Sequence, residues 1–310
     1  MELTTRVIRP AVLQVADQPA VRRLLTQTRP GRALAERFVA GETLAEAMSA
    51  ARELDRRRTA AMLNLLGENA ASAQQALEAR ASYMAAVEEI AQNPTLDVAI
   101  SVKLTQLGLD TSVDQCWAHL EPVLDAADEH AIVVMMDMES HAYVDATLEI
   151  LHRAFARSPR VGVCLQSYLK RTERDVFELP PGCRIRLVKG AYLEPAEVVY
   201  GRKREVDDAY RRMFATLLAR GHPIDAATHD PALIEGIRLR VDATDGGWSR
   251  VEFQMMYGVR RDLQASLGGQ GYPVRVYIPY GTEWYPYLTR RLAERPANVW
   301  FFLSNLVRVR

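Results

Sequence analysis

Lysine is nearly missing from this chain: of 39 basic residues only four, Lys103, Lys170, Lys189 and Lys203, are lysine. Where arginine supplies almost all the positive charge, each lysine marks a place for a compact amine whose pKa burial can move. Cysteine is scarce too. Cys116, Cys164 and Cys183 are odd in number and lack metal-like spacing, which argues against a disulfide framework and for a reducing, cytoplasmic compartment. Net charge is absent, because 39 acidic residues cancel the 39 basic ones, so no electrostatic footprint for nucleic acid exists. Long apolar runs are lacking: Arg6, Arg9 and Asp17 interrupt the N-terminus, and residues 299–303 are far too few to span a bilayer. No G-x-G-x-x-G follows any apolar run; the Gly-Gly pairs at 246–247 and 268–269 precede such runs and read as turns.

What is present is a large apolar share, 48% of 310 residues, enough for a sizeable core. Residues from about 11 to 58 read as helices, with Leu25, Leu34, Phe38, Val39 and Leu44 at helical spacing. Arg29-Pro30-Gly31 marks a break, and Thr43 followed by Glu46 resembles a capping box. From about residue 60, short apolar runs alternate with longer amphipathic stretches. The candidate strands are 61–66, 98–104, 132–137, 161–166, 184–188, 223–227, 250–254 and 274–278. Eight strands alternating with helices predict a parallel sheet, and eight is the number that closes a (β/α)₈ TIM-like barrel. An open doubly wound sheet is the alternative. The organisation expected is an N-terminal helical arm over residues 1–58 and a barrel over 59–310.

Chemistry in a parallel barrel sits at the carboxyl ends of the strands. Read in order, those ends carry Glu68; Lys103; Asp137 and Glu139; Gln166 and Tyr168; Arg186, Lys189, Gly190 and Tyr192; Thr228 and His229; Gln254 and Tyr257; Tyr277 and Tyr280. Each alone has an ordinary explanation. Lys103 can be an edge lysine on solvent, Asp137 can cap a helix, Arg186 can lie on the surface and His229 can cap a turn. Together they point to one shared mouth. After the last strand, Tyr287, Arg290, Arg291 and Glu294 share one helical face. Two adjacent arginines can grip one carboxylate, although an exposed helix with an Arg–Glu pair fits the same spacing.

The ordered set Leu-Leu-Gly-Glu (65–68), Ser-Val-Lys-Leu (101–104), Asp-Met-Glu (137–139), Gln-Ser-Tyr-Leu-Lys-Arg (166–171), Arg-Leu-Val-Lys-Gly-Ala-Tyr (186–192), Ala-Thr-His-Asp (227–230), Glu-Phe-Gln-Met-Met-Tyr-Gly (252–258) and Tyr-Leu-Thr-Arg-Arg-Leu-Ala-Glu (287–294) resembles the proline dehydrogenases. The likeness is greatest to the small monofunctional bacterial type, since no aldehyde dehydrogenase domain follows. It implies a barrel holding FAD at the carboxyl ends of its strands and hydride transfer from L-proline to that flavin. It implies that Arg290 and Arg291 hold the proline carboxylate, that Glu294 pairs with Lys103 beside the substrate, and that Asp137, Tyr277 and Tyr287 surround the ring. Met138, Gln166, Arg186, Lys189, Gly190, Ala191, Thr228 and His229 would contact FAD, with Arg186 the cation near its reactive nitrogen. Asn64 departs from the aspartate of many relatives. The resemblance further implies a membrane quinone as electron acceptor, hence peripheral contact with the inner face of a membrane, and handover of product to a separate pyrroline-5-carboxylate dehydrogenase. The apolar face of the arm and the tail Trp300-Phe301-Phe302-Leu303 are candidates for that contact, and packing on the barrel explains them equally.

Two rival readings use the same residues. A Schiff-base aldolase would employ Lys103 or Lys189 as the nucleophilic amine. A non-catalytic barrel would need no such concentration of Lys103, Asp137, Arg290 and Arg291.

Overall fold

Each apolar run becomes a strand because its alternate residues face two packed surfaces, the barrel interior and the surrounding helices. The computed structural model describes residues 18–294. Its strands are β1 (Ala60–Leu65), β2 (Val98–Val102), β3 (Val134–Met136), β4 (Val161–Gln166), β5 (Arg184–Val188), β6 (Ile224–Ala227), β7 (Val251–Met256) and β8 (Val274–Tyr280). All neighbours pair in parallel, and β1 pairs with β8, closing the barrel. The open doubly wound sheet is thereby excluded. β2 stops two residues short of the expected run, because Leu104 leads into a 3₁₀ turn at Thr105–Leu107. β3 is shorter than expected at both ends.

Outward-facing Ile185, Leu187, Phe253, Met255, Val276 and Ile278 join the main core with the outer helices. The interior is different. Met62, Ala99 and Met135 form a small apolar plug of their own, and charged side chains fill much of the remainder, including buried Arg186, Asp225 and Arg275.

Among the described residues three helices precede the barrel: α1 (Pro19–Gln27), α2 (Arg29–Phe38) and α3 (Leu44–Asp55). The break expected at Arg29-Pro30-Gly31 falls at Thr28, whose hydroxyl accepts from the Gly31 amide at 3.2 Å, leaving Pro30 in the first turn of α2, where its missing N–H costs nothing. The capping box opens α3, with the Glu46 amide donating to Thr43 Oγ1 at 3.3 Å and the Thr43 amide donating to Glu46 Oε2 at 2.9 Å. α3 lies against both β1 and β8. Its Ala47, Met48 and Ala51 belong to the main core, so it fills the flank where an eighth barrel helix normally packs.

The other helices are α4 (Ala73–Ala91), α5 (Val113–Glu129), α6 (Val144–Arg157), the short α7 (Thr172–Asp175), α8 (Lys203–Ala219), α9 (Pro231–Asp242), α10 (Arg261–Gly269) and α11 (Trp284–Glu294). α11 packs on α2 in a separate apolar cluster that includes Leu34, Phe38, Leu66, Tyr287 and Leu288. The turn after β7 presses on α2 as well: a Cβ on Gly258, whose φ is +73°, would stand 1.7 Å from the Arg37 carbonyl oxygen. Gly258→Ala is therefore expected to push the turn off α2 and destabilise the fold by about 1–3 kcal/mol, since both the backbone strain and the clash must be relieved. Denaturant unfolding of the two proteins measures the difference.

Candidate active site

Side chains from three strands converge on Asp137, the residue just past β3. Its amide donates to the Val102 carbonyl at 2.9 Å, which registers it against the end of β2. Oδ1 accepts from Ser101 Oγ at 2.7 Å and from Arg186 at 2.7 Å. Oδ2 accepts from Lys103 Nζ at 2.5 Å and from the Tyr277 hydroxyl at 2.9 Å. Ser101 and Lys103 are two residues apart and so share the interior face; Arg186 arrives from β5 and Tyr277 from β8. Arg186 also donates to Gln254 and to the Met62 sulfur, and its guanidinium lies 5.1 Å from the centre of the Tyr277 ring.

All of these groups are buried or nearly so. Burial alone would raise the Asp137 carboxyl, but Lys103 and Arg186 override it and hold the group at about 2. Burial alone would lower Lys103, and the Asp137 carboxylate reverses that, holding the amine well above the ordinary lysine value. The Tyr277 hydroxyl is likewise raised, first by burial and then by Asp137. A carboxyl depressed in the folded state stabilises fully above its ordinary value of 3.8 and loses that contribution as pH falls towards about 2. The difference in unfolding free energy between the protein and an Asp137→Asn variant, followed from neutral pH into acid, is expected to narrow by about 2 kcal/mol below pH ~4.

α11 carries the paired arginines. Arg290 is bound by Glu68, on the loop after β1, at 2.8 Å. Arg291 donates to the Met256 sulfur at 2.8 Å, and its guanidinium lies 5.3 Å from the centre of the Tyr287 ring. The side chain of Glu294 lies outside the described residues. Within the described residues the carboxylate that pairs with Lys103 is Asp137, which leaves the adjacent strand and reaches the amine across a single ladder spacing.

On the other rim, Lys189 Nζ lies 2.6 Å from Asp207 and 2.8 Å from Asp230, and Lys203 pairs with the same two aspartates. Asp230 also caps α9 through the Ala232 amide, so the cap belongs to Asp230 rather than to His229. Thr228 Oγ1 accepts from the Asp230 amide at 3.1 Å, and His229 Nε2 accepts from the Met256 amide at 3.0 Å, tying β6 to β7. Gln166 donates to the Glu139 carbonyl at 2.8 Å. Gly190 has φ +117°, and a Cβ there would overlap the Tyr168 ring at 2.2 Å, so only glycine lets the loop after β5 turn over Tyr168.

One cavity of about 1410 Å³ joins these groups. Lys103, Asp137, Met138, Gln166, Arg186 and Lys189 line it, as do Gly190, Ala191, Thr228, His229, Tyr277, Tyr287, Arg290 and Arg291. Glu68 and Tyr192, which the strand ends placed at the shared mouth, line it as well. Ser101 was overlooked although its i,i+2 relation to Lys103 placed it on the same face. Asn64 also lines the cavity, and its side-chain oxygen is buried without a hydrogen-bond partner among the described residues. A Schiff-base lysine needs a neutral amine. Lys103 is held charged by Asp137, which argues against it as that nucleophile, and Lys189 is engaged by Asp207 and Asp230.

Comparison with known proteins identifies the family. The family model described as proline dehydrogenase matches residues 47–303. The proline dehydrogenase of Deinococcus radiodurans is 39% identical over 311 residues, covering 98% of this chain and 99% of that protein. Proline dehydrogenase 1 of Bacillus subtilis (strain 168) is 36% identical over 277 residues, covering 88% and 91%. Among solved structures, proline utilization A (PutA) from Bdellovibrio bacteriovorus, inactivated by N-propargylglycine, superposes with a TM-score of 0.80 at 24% identity, a likeness of fold that covers 93% of this chain and 36% of that one. The chain belongs to the proline dehydrogenase family.

Proposed function

We propose that this chain oxidises L-proline to pyrroline-5-carboxylate with FAD as the hydride acceptor, the first step of proline catabolism. The observation that carries the reading is one buried carboxylate, Asp137, ion-paired to Lys103 and Arg186 in the wall of a cavity that Arg290 and Arg291 also line.

The residues present fit a dinucleotide flavin. The cavity, about 1410 Å³, exceeds the ~300–1,000 Å³ of most small-ligand pockets, leaving room for the flavin and a small substrate together. Met138, Gln166 and Arg186 would hold the flavin ring. Lys189, Gly190, Ala191, Thr228 and His229 would hold the remainder, with Lys189 exchanging Asp207 and Asp230 for a phosphate. Bound there, FAD supplies the two-electron acceptor.

Proline enters as a zwitterion. Arg290 and Arg291 bind its carboxylate, and Arg290 exchanges Glu68 for the substrate. Their positive charge lowers the pKa of the proline ammonium. The amine loses its proton to water; Asp137, held at about 2, is too weak a base to take it. With the nitrogen lone pair free, the carbon beside it gives up hydride as the C=N bond forms. Asp137 balances the charges of Lys103 and Arg186, while Tyr277 and Tyr287 shape the pocket and exclude water. The electrons then pass to a quinone through peripheral contact with the cytoplasmic face of a membrane. Among the described residues no helix is long and apolar enough to cross a membrane. The product passes to a separate pyrroline-5-carboxylate dehydrogenase.

The protein supplied with FAD, L-proline and an artificial electron acceptor should accumulate pyrroline-5-carboxylate. No product under those conditions would remove the assignment.

A further inference from the structure

The interior of an eight-stranded barrel is ordinarily filled by branched aliphatic side chains. Below Arg186 this barrel carries a connected chain of polar ones. Asp97, just before β2 at the amino end of the barrel, pairs with Arg275 at 2.9 Å, and Arg275 also donates to the Ala61 carbonyl at 3.0 Å. Arg275 Nε donates to Glu252 Oε1 at 2.8 Å. The same Oε1 accepts from Gln254 Nε2 at 2.9 Å, and Gln254 Oε1 accepts from Arg186 Nε at 2.8 Å. Gln254 is only 4% exposed.

This chain leaves the Gln254 amide a single orientation. A guanidinium only donates and an ionised carboxylate only accepts, so the amide must turn its oxygen to Arg186 and its nitrogen to Glu252. Burial would raise Glu252, but Arg275 outweighs it and keeps the carboxyl low, hence ionised and able only to accept. Arg186 is therefore held at Nη1 by Asp137 and Ser101, at Nη2 by the Met62 sulfur and at Nε by Gln254 alone. Without Gln254, the Nε donor loses its described acceptor and the tilt of the guanidinium is set by the Nη contacts alone.

We propose that Gln254 is a positioning residue for Arg186, with Glu252 and Arg275 fixing which way its amide stands. The consequence for catalysis rests on the reading that Arg186 faces the flavin.

The test uses the FAD-loaded protein and two variants. Gln254→Met keeps the volume and removes the acceptor; Gln254→Glu keeps the acceptor and adds an anion beside Arg186, while replacing the donor to Glu252 by a second carboxylate. In Gln254→Met, kcat should fall about tenfold, the loss of one hydrogen bond to a charged group, while the proline KM stays within about twofold because the clamp on α11 is untouched. In Gln254→Glu the flavin midpoint potential should fall, and kcat should exceed that of Gln254→Met. An unchanged kcat in Gln254→Met together with an unchanged potential in Gln254→Glu would overturn the proposal. Loss of FAD from both variants would overturn it too, since orienting one guanidinium is not needed to hold a dinucleotide. Should Gln254→Met fail to fold, the potential of Gln254→Glu decides. A wild-type protein that takes up no FAD would instead sink the flavin reading.

Discussion

Replacing Asp137 by alanine is expected to lower proline turnover by about a hundredfold or more and to destabilise the barrel by about 3–5 kcal/mol, the cost of breaking a buried ion pair by removing one partner. Two cations depend on this carboxylate. Lys103 and Arg186 are 7% and 4% exposed, and the little water that can reach them from the cavity replaces the lost anion poorly. Like charges would then repel across the gap, moving Arg186 away from the position proposed for it beside the flavin. Lys103 would lose the partner that keeps it charged, so its pKa would drop towards the range that burial alone dictates. Asp137→Asn keeps the shape and an acceptor, and should lose activity comparably while being less destabilised. Steady-state kinetics and denaturant unfolding on both variants separate the electrostatic effect from the packing effect. Full activity in Asp137→Ala would remove this residue from the site.

Substitution at the paired arginines should act on binding. Arg290→Met or Arg291→Met is expected to raise the proline KM roughly 10- to 150-fold, the equivalent of one charge-assisted contact of about 1.5–3 kcal/mol. Methionine preserves much of the stem's apolar packing, so the change isolates the charge. Arg290 carries a second effect, since its loss leaves Glu68 without the ion pair at 2.8 Å. Glu68 is about one-quarter exposed, however, and water can solvate it, so the stability of Arg290→Met should change little. An unchanged KM in both variants would refute the carboxylate clamp.

The strands were readable because an apolar run of five or six residues has few other uses, and 184–188 and 161–166 match β5 and β4 end for end. The polar strand ends were readable for the same reason: Lys103 and Arg186 interrupt runs that sterics and burial would otherwise fill with aliphatic groups. Partners were harder to read. Helical spacing in 44–55 announces an apolar face without saying what it meets, so nothing foretold that α3 would take the flank between β8 and β1 while α11 packs on α2. The Glu68–Arg290 pair joins residues 222 positions apart, a closeness that only barrel closure creates. Glu252 and Arg275 read as ordinary polar positions on half-buried strands; their pairing needs the register of β7 against β8, where Gln254 meets Arg275. The pairing of Lys103 with Asp137 was not read from the sequence, although its nearness follows from β2 and β3 being neighbours.

The central claim is that this charged cavity brings proline and FAD together for hydride transfer. Anaerobic addition of L-proline to the FAD-loaded protein, followed in the visible spectrum, tests it directly. The yellow flavin band should bleach as proline is added and return when a quinone is supplied. A flavin that stays oxidised in saturating L-proline, in a protein that has bound FAD, would contradict the account.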